Sequence, residues 1–221
     1  MNSFPVYLFL NFKSYSLPLL KRYEFDQLQI AIWSIEEEVE ELTKLVRPNF
    51  HTEINHRARN VQWLACRAAL ADIMPDNNFE LYKDEYGKPH VSSEEHISLS
   101  HTFKYAAATV SNQLVGIDIE ELTPRIERIA TRFLHIEEKA FLENGSSLEH
   151  LYLIWCAKEA IFKLYGKKAV RFSKDIQVMP FEVEESGSLQ IQFARLRSTL
   201  FTARYLIFDN HVLVWVEDSV S

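Results

Sequence analysis

Apolar positions along the chain alternate between two spacings. Val6 to Phe12 opens on an apolar run, Val6 to Leu10, bounded by Pro5 and Asn11, and Gln29 to Trp33 is a second mostly apolar stretch. Both read as strands. From there the spacing lengthens. Ile35, Val39, Leu42 and Val46 recur at threes and fours, which is one face of a helix. Ser34 and Glu37 have the spacing of a capping box at its start, and Pro48 stands just past its end. The acids Glu36, Glu37, Glu38, Glu40 and Glu41 read as its solvated face, favourably close to the positive end of the helix dipole. A stronger helix opens at Asn55 and runs to about Ile73, with Val61, Leu64, Ala65, Ala68 and Ala69 as its buried stripe.

Tyr86-Gly87-Lys88-Pro89 punctuates the chain as a turn. Tyr105–Val110 and Leu114–Glu120 have strand character, and the short Ser111-Asn112-Gln113 connection predicts a hairpin. Thr123-Pro124 opens a further helix, Thr as cap and Pro at its first position. Another helical segment spans His135 to Leu142. A long helix is predicted over Leu148–Tyr165, ending at Gly166. The tail from Ile176 to Val216 is strand-like, with Asp209-Asn210 as a turn. There is no sequence repeat, but each half carries one long helix and strand pairs. The best division falls near residue 112, giving 1–111 and 112–221.

Composition narrows the class. A chain of 221 residues buries about 70% of its unfolded surface and needs no staples. With 47% hydrophobic and 25% charged residues it is globular, and 5 Gly and 7 Pro leave no flexible linker. A net charge of −7 excludes general nucleic-acid binding, so any anion must meet a local basic patch. Cys66 and Cys156 form no C-x-x-C, which excludes a zinc framework. Both sit in apolar helical patterns, where free thiols stay buried and reduced, as in a cytoplasm. No apolar run approaches the ~20 residues of a membrane span.

Four clusters carry candidate chemistry. In Gly116-Ile117-Asp118-Ile119-Glu120 alternate residues share a face. Asp118 and Glu120 then lie about 7 Å apart at the backbone, twice the strand rise. They suit a hard cation such as Mg²⁺, with Gly116 leaving room for a ligand, or they form a plain solvent-facing edge. On such an open face, Asp118 should be removable without loss of fold. In Trp155-Cys156-Ala157-Lys158-Glu159-Ala160-Ile161-Phe162-Lys163, the residues Ile154, Ala157, Ile161 and Leu164 form the core stripe. Glu159 and Lys163 lie one turn apart, as base and phosphate clamp or as a simple i, i+4 ion pair. Ser100 and His101 could donate to phosphate oxygens; as strand neighbours they point to opposite faces, so they do not make a nucleophile pair. Lys158, Lys163, Lys167, Lys168, Arg171 and Lys174 face a single acid, a local basic island suited to a small polyanion or an evenly solvated loop. His56, Arg57 and Arg59 crowd the wrong end of a helix dipole, a conflict an anion would relieve.

Together these segments resemble the 4′-phosphopantetheinyl transferase superfamily. G-I-D-I-E at 116–120 followed by W-C-A-K-E-A-I-F-K at 155–163 is similar to its two defining motifs in order and spacing. Y-G-K-P at 86–89 and L-S-H-T at 99–102 are similar to two motifs of its larger, monomeric class. Cys156 stands where the family usually has Ser. The resemblance implies an α+β fold of two similar halves, a pseudo-dimer with each half placing a long helix on an antiparallel sheet and the active site in the cleft between them. It implies a monomeric enzyme that moves the 4′-phosphopantetheine arm of coenzyme A to a serine of an apo acyl or peptidyl carrier protein, releasing adenosine 3′,5′-bisphosphate. Carried over by motif, Asp118, Glu120 and Glu159 hold Mg²⁺, and Glu159 acts as base toward the carrier serine. Lys163 contacts the diphosphate, and Lys88, Ser100 and His101 contact the coenzyme phosphates; the basic stretch the family often carries is sparse here from Lys44 to Asn55, which leaves Arg57 and Arg59 as the obvious bases near the 3′-phosphate. Glu138, where the family often has an acid near the metal, has a supporting role at most. A binding module that lost catalysis and another Mg²⁺-dependent phosphoester enzyme are the competing readings.

Overall fold

The computed structural model describes residues 19–25, 27–46, 56–74, 79–143, 145, 147–196 and 200–218. The strand expected over 6–12 and the helix start expected at Asn55 lie outside them. The chain opens with β1 (Leu19–Phe25) and β2 (Leu28–Ser34), then α1 (Val39–Leu45) and α2 (Arg57–Ile73). It continues through β3 (Leu81–Lys83), β4 (Pro89–Val91), β5 (His96–His101), β6 (Tyr105–Ser111) and β7 (Val115–Glu121). A 3₁₀ turn (Pro124–Arg128) leads to α3 (Ala130–Phe133), α4 (Ile136–Leu142), α5 (Leu148–Tyr165) and α6 (Phe172–Asp175). The last strands are β8 (Ile176–Val178), β9 (Ser186–Phe193), β10 (Leu200–Phe208) and β11 (His211–Glu217).

All strand pairings are antiparallel. One sheet has the order β1-β2-β6-β5, a second β7-β11-β10-β9-β8, and β3 pairs with β4 alone. The layers follow from residue size and alternation. Ala31, Trp33, Ala106, Ala108 and Val110 face the small-residue stripe of α2. The opposite faces of β2 and β6, with Leu28, Ile30, Ile32 and Tyr105, pack on Val115, Ile117, Ile119, Leu213 and Trp215 of β7 and β11. The outer face of β7 and β11 meets Ala157, Ala160, Ile161 and Leu164 of α5, with Val212, Val214 and Val216. The order of layers is therefore helix, sheet, sheet, helix.

Four expectations change. Tyr105–Ser111 and Val115–Glu121 do not form a hairpin: β6 pairs with β2 and β5, and β7 pairs with β11. Each strand is buried on both faces, so its apolar run names no partner. Ser34 does not cap α1; it ends β2, and the reciprocal cap is Glu38 with Glu41. Thr123 makes no side-chain cap, and Pro124 begins a 3₁₀ turn instead of an α-helix. Gly116 does not open a face for a ligand. A Cβ there would lie 1.9 Å from the Ala160 carbonyl oxygen, so the missing side chain admits the backbone of α5. Other expectations hold. Helix α5 ends at Gly166 with φ 70°, and Asp209 and Asn210 adopt φ 44° and 60° between β10 and β11, the paired positive values of a type I′ turn.

The two sheets meet edge to edge at β5 and β7 without sharing a ladder. Serine hydroxyls do the joining. Ile117 N–H donates to Ser98 Oγ at 3.1 Å, and Ile119 N–H donates to Ser100 Oγ at 3.2 Å. Edge N–H groups that would otherwise be orphaned are thereby satisfied. No helix among the described residues is long and apolar enough to cross a membrane.

Gly116→Ala is expected to destabilise the protein by more than about 3 kcal/mol, beyond the ~1–3 kcal/mol of ordinary overpacking, because the atom it meets is helix backbone. Urea unfolding checks this, and a variant within about 1 kcal/mol of the parent would show that the approach of α5 to β7 is not tight.

Candidate active site

Gly116, Asp118 and Glu120 share the face of β7 that α5 covers. Asp118 is not an open-face acid: it is 4% exposed. Its Oδ1 accepts from Ser100 Oγ at 2.8 Å and from Lys163 Nζ at 2.7 Å. Its Oδ2 is buried without a hydrogen-bond partner among the described residues. Removing this side chain would leave the half-buried Lys163 ammonium with one partner fewer, so the open face from which a harmless deletion was expected is not there. Glu120 accepts from Trp155 Nε1 at 3.2 Å and lies 3.6 Å from the Arg125 guanidinium. Burial and then the charge of Asp118 raise its pKa, against the pull of Trp155, Arg125 and Lys163.

Helix α5 supplies the other groups. Lys163 does not form the i, i+4 ion pair with Glu159. Its ammonium reaches into the seam instead, donating to Leu99 O at 3.2 Å, Ile117 O at 3.0 Å and Asp118 Oδ1. All three N–H bonds of the ammonium are thus engaged. Glu159, left without a hydrogen bond among the described residues, is pushed up to about 7, first by burial and then by the Asp118 charge, with Lys163 opposing. It lines a cavity of about 560 Å³ walled by Arg132, Phe133, Trp155, Phe172 and Lys174.

The first half contributes unevenly. Ser100 is 8% exposed and tied into the seam by the contacts already given. His101 is close enough to Lys163 and Asp118 for both to act on its ring; the surrounding protein and then Lys163 lower its pKa, and Asp118 opposes. Lys88 donates to Leu164 O at 2.6 Å, a cation on the last turn of α5 where the dipole favours it. It also lines a second cavity, of about 230 Å³, with Tyr86, Ser98, Lys163 and Lys168. Arg57 stands apart. Its side chain is 73% exposed and pairs with Glu38 at 2.5 Å. The charge conflict at the start of α2 is thus relieved by Glu38, and His56 caps the helix through Arg59 N–H at 3.5 Å.

Lys158 was counted in the basic island but is fully buried. Its ammonium donates to Glu138 Oε2 at 2.7 Å and to the carbonyls of Phe133, Phe172 and Ile176 at 2.8, 3.0 and 3.0 Å. Glu138 in turn accepts from the backbone N–H groups of His135 and Val178, each at 2.7 Å. Its carboxylate is therefore a structural knot beneath the cavity walls. The signal was present: 158 lies four after Ile154 and three before Ile161, on the core stripe. Trp155, which holds Glu120 and walls the larger cavity, also went unassigned. Both cysteines are buried. Burial pushes Cys66 up to about 12 and Cys156 well above its usual range, so both remain thiols. Among the described residues no three His, Cys, Asp or Glu side chains already converge as a metal cage.

Comparison with known proteins bears on this half of the chain. Residues 114–215, from β7 into β11, match the model of the 4′-phosphopantetheinyl transferase superfamily. The 4′-phosphopantetheinyl transferase gsp of Aneurinibacillus migulanus is 34% identical over 109 residues, 47% of this chain and 46% of that protein. The 4′-phosphopantetheinyl transferase psf-1 of Bacillus pumilus is 37% identical over 86 residues, 37% of each chain. The 4′-phosphopantetheinyl transferase ffp of Bacillus subtilis is 25% identical over 126 residues, 55% of each. The chain thus matches these curated relatives over about half of their length or less. The 4′-phosphopantetheinyl transferase resemblance read from the two motifs is borne out.

Glu138→Gln is expected to cost about 3–5 kcal/mol, because it leaves the Lys158 charge buried without its carboxylate. Glu159→Gln, which removes a crowded carboxylate, is expected to leave stability unchanged or raised. Denaturant melts of the two variants check the contrast, and the reverse order would refute the assignment of Glu138 to structure.

Proposed function

We propose that this chain is a Mg²⁺-dependent 4′-phosphopantetheinyl transferase that moves the arm of coenzyme A to a serine of an apo acyl or peptidyl carrier protein. The observation that carries the reading is that Asp118, Glu120 and Glu159 lie close enough for their charges to act on one another beside Lys163, on the two motifs at 116–120 and 155–163. The reading includes two related halves, 1–111 and 112–221, a site in the cleft between them, a monomeric state and a reducing, cytoplasmic setting. Two sheets each covered by one long helix, and two buried thiols, agree with it.

The residues fit a hard divalent cation. Three carboxylates stand against the single ammonium of Lys163 and a partly engaged Arg125, one carboxylate oxygen of Asp118 is buried with no hydrogen-bond partner among the described residues, and burial and then mutual repulsion raise the pKa of Glu120 and Glu159. Oxygen donors of this kind select Mg²⁺ over softer metals. When bound there, Mg²⁺ supplies positive charge to the diphosphate and to the departing phosphate. The protein's own groups do the rest. His101 and Lys88 bind coenzyme phosphate oxygens. Lys163 holds Asp118 in place and adds positive charge where negative charge develops. The carrier serine attacks the phosphorus that bears the pantetheine arm, and its proton passes to Glu159. The bond from that phosphorus to the bridging oxygen breaks, and adenosine 3′,5′-bisphosphate leaves with the electron pair. A base with a pKa near 7 is matched to this proton transfer. Arg57 keeps its proposed part in reading the 3′-phosphate only by leaving Glu38.

Coenzyme A, Mg²⁺ and a purified apo carrier should give the modified carrier by intact mass, and no modification of any of several carriers would overturn the reading. Glu159→Gln should lower kcat at least ~10²-fold at saturating Mg²⁺, the low end for a lost general base. The pH dependence has a definite sign. Glu159 is protonated below about 7 and then neither binds a cation nor accepts a proton. One unit lower only about a tenth is ionised, so half-maximal activity should need roughly tenfold more Mg²⁺ at pH 6 than at pH 8. A requirement independent of pH would exclude Glu159 from the cation site.

A further inference from the structure

The strands that carry the candidate groups come from different sheets and share no ladder. Strand β5 brings Ser100 and His101, and β7 brings Asp118 and Glu120. Their relative register therefore rests on side chains. The seam serines fix the middle of the joint. Its end is fixed by one turn, Asp209-Asn210-His211, between β10 and β11.

That turn grips the exits of both strands. Asn210 holds the chain just beyond Glu120: its carbonyl accepts from Leu122 N–H at 2.9 Å, and its side-chain amide donates to Leu122 O at 3.1 Å. Asp209 and His211 hold the chain just beyond His101. The Asp209 carboxylate takes Lys104 Nζ at 2.5 Å and Tyr105 Oη at 2.6 Å. His211 is 2% exposed, with Nδ1 at 2.7 Å from Asp209 O and Nε2 at 3.2 Å from Thr102 Oγ1.

The hydrogen-bond inventory fixes the ring's tautomer. A carbonyl only accepts, so Nδ1 carries the proton. Thr102 Oγ1 already accepts from the N–H groups of Lys104 and Tyr105, at 3.2 and 3.0 Å. Both its lone pairs are used, so its own proton goes to Nε2, which accepts. Thr102 is the residue next to His101.

We propose that His211 is a positioning residue for coenzyme binding: through Thr102 it sets His101 in register with the strand that carries Asp118 and Glu120. The proposal rests on the transferase reading above. His211 touches no reacting atom. Its effect belongs to binding shared by ground and transition states, which appears in KM and spares kcat.

The test compares Thr102→Val, which keeps shape and loses the hydroxyl, with Thr102→Ser, which keeps the hydroxyl, and adds His211→Phe. Thr102→Val and His211→Phe should raise KM for coenzyme A about tenfold, within the ~10²-fold that an ångström of misplacement can cost. Saturated kcat should stay within about twofold, and Thr102→Ser should behave as the parent. A parental KM in Thr102→Val, or a fall in kcat at unchanged KM, would overturn the proposal. Nitrogen NMR of the parent's histidines needs no variant to fold. The buried ring should be protonated at Nδ1 alone, and protonation at Nε2 would refute the clasp. Absence of any transfer by the parent would instead sink the activity reading, while transfer by a parent indistinguishable from Thr102→Val would sink only the positioning role.

Discussion

A helix carbonyl occupies the space where residue 116 would carry a side chain. The approach of α5 to β7 at Gly116 and Ala160 sets everything around it. It brings Lys163 within 2.7 Å of Asp118, lets Trp155 reach Glu120, and half-buries Glu159 within reach of the charges of Asp118 and Glu120. A helix held a side chain's width further out would leave the same residues as a hydrated strand face and an ordinary surface ion pair. The perturbed acidity at the site is thus a consequence of backbone packing.

The same helix shows two ways of housing a buried ammonium. Lys158 is closed off: one carboxylate and three carbonyls surround it, and burial lowers its pKa while Glu138 opposes. Lys163 is held by two carbonyls and one carboxylate and keeps its side chain 27% exposed. Between them Glu159 is given no donor. A carboxylate that is desolvated and unpaired is an unfavourable arrangement for stability alone, and it is the kind of local conflict that folded proteins retain where chemistry is done.

Much of this was legible in the sequence. The threes and fours of Ile154, Ala157, Ile161 and Leu164, with Gly166 beyond, mark α5 over the range it occupies, Leu148–Tyr165. The alternation of Ile117 and Ile119 with Asp118 and Glu120 separated a core face from a chemical face. What stayed hidden was whatever depends on a partner distant in the chain. Strands β6 and β7 bury both faces, so alternation does not reveal that they part to different sheets. The charge of Lys158 reads as surface, though its place on the stripe says otherwise. Lys88 reads as a turn residue that contacts phosphate, and its ammonium also donates to the last turn of α5. Gly116 signals close approach, but a sequence does not say by what. Residues whose role is set by their own helix or strand are readable; those set by a neighbouring element are not.

The joint between β5 and β7 has one more consequence. Each sheet keeps the rungs of its own ladder when that joint parts, because side chains cross it: Ser98, Ser100, Lys163 and Asp118 in the middle, and Thr102 with His211 at the end. Widening the gap between His101 and the carboxylates therefore acts on side-chain bonds and on the apolar contact between the sheets, and on no backbone pairing of either sheet.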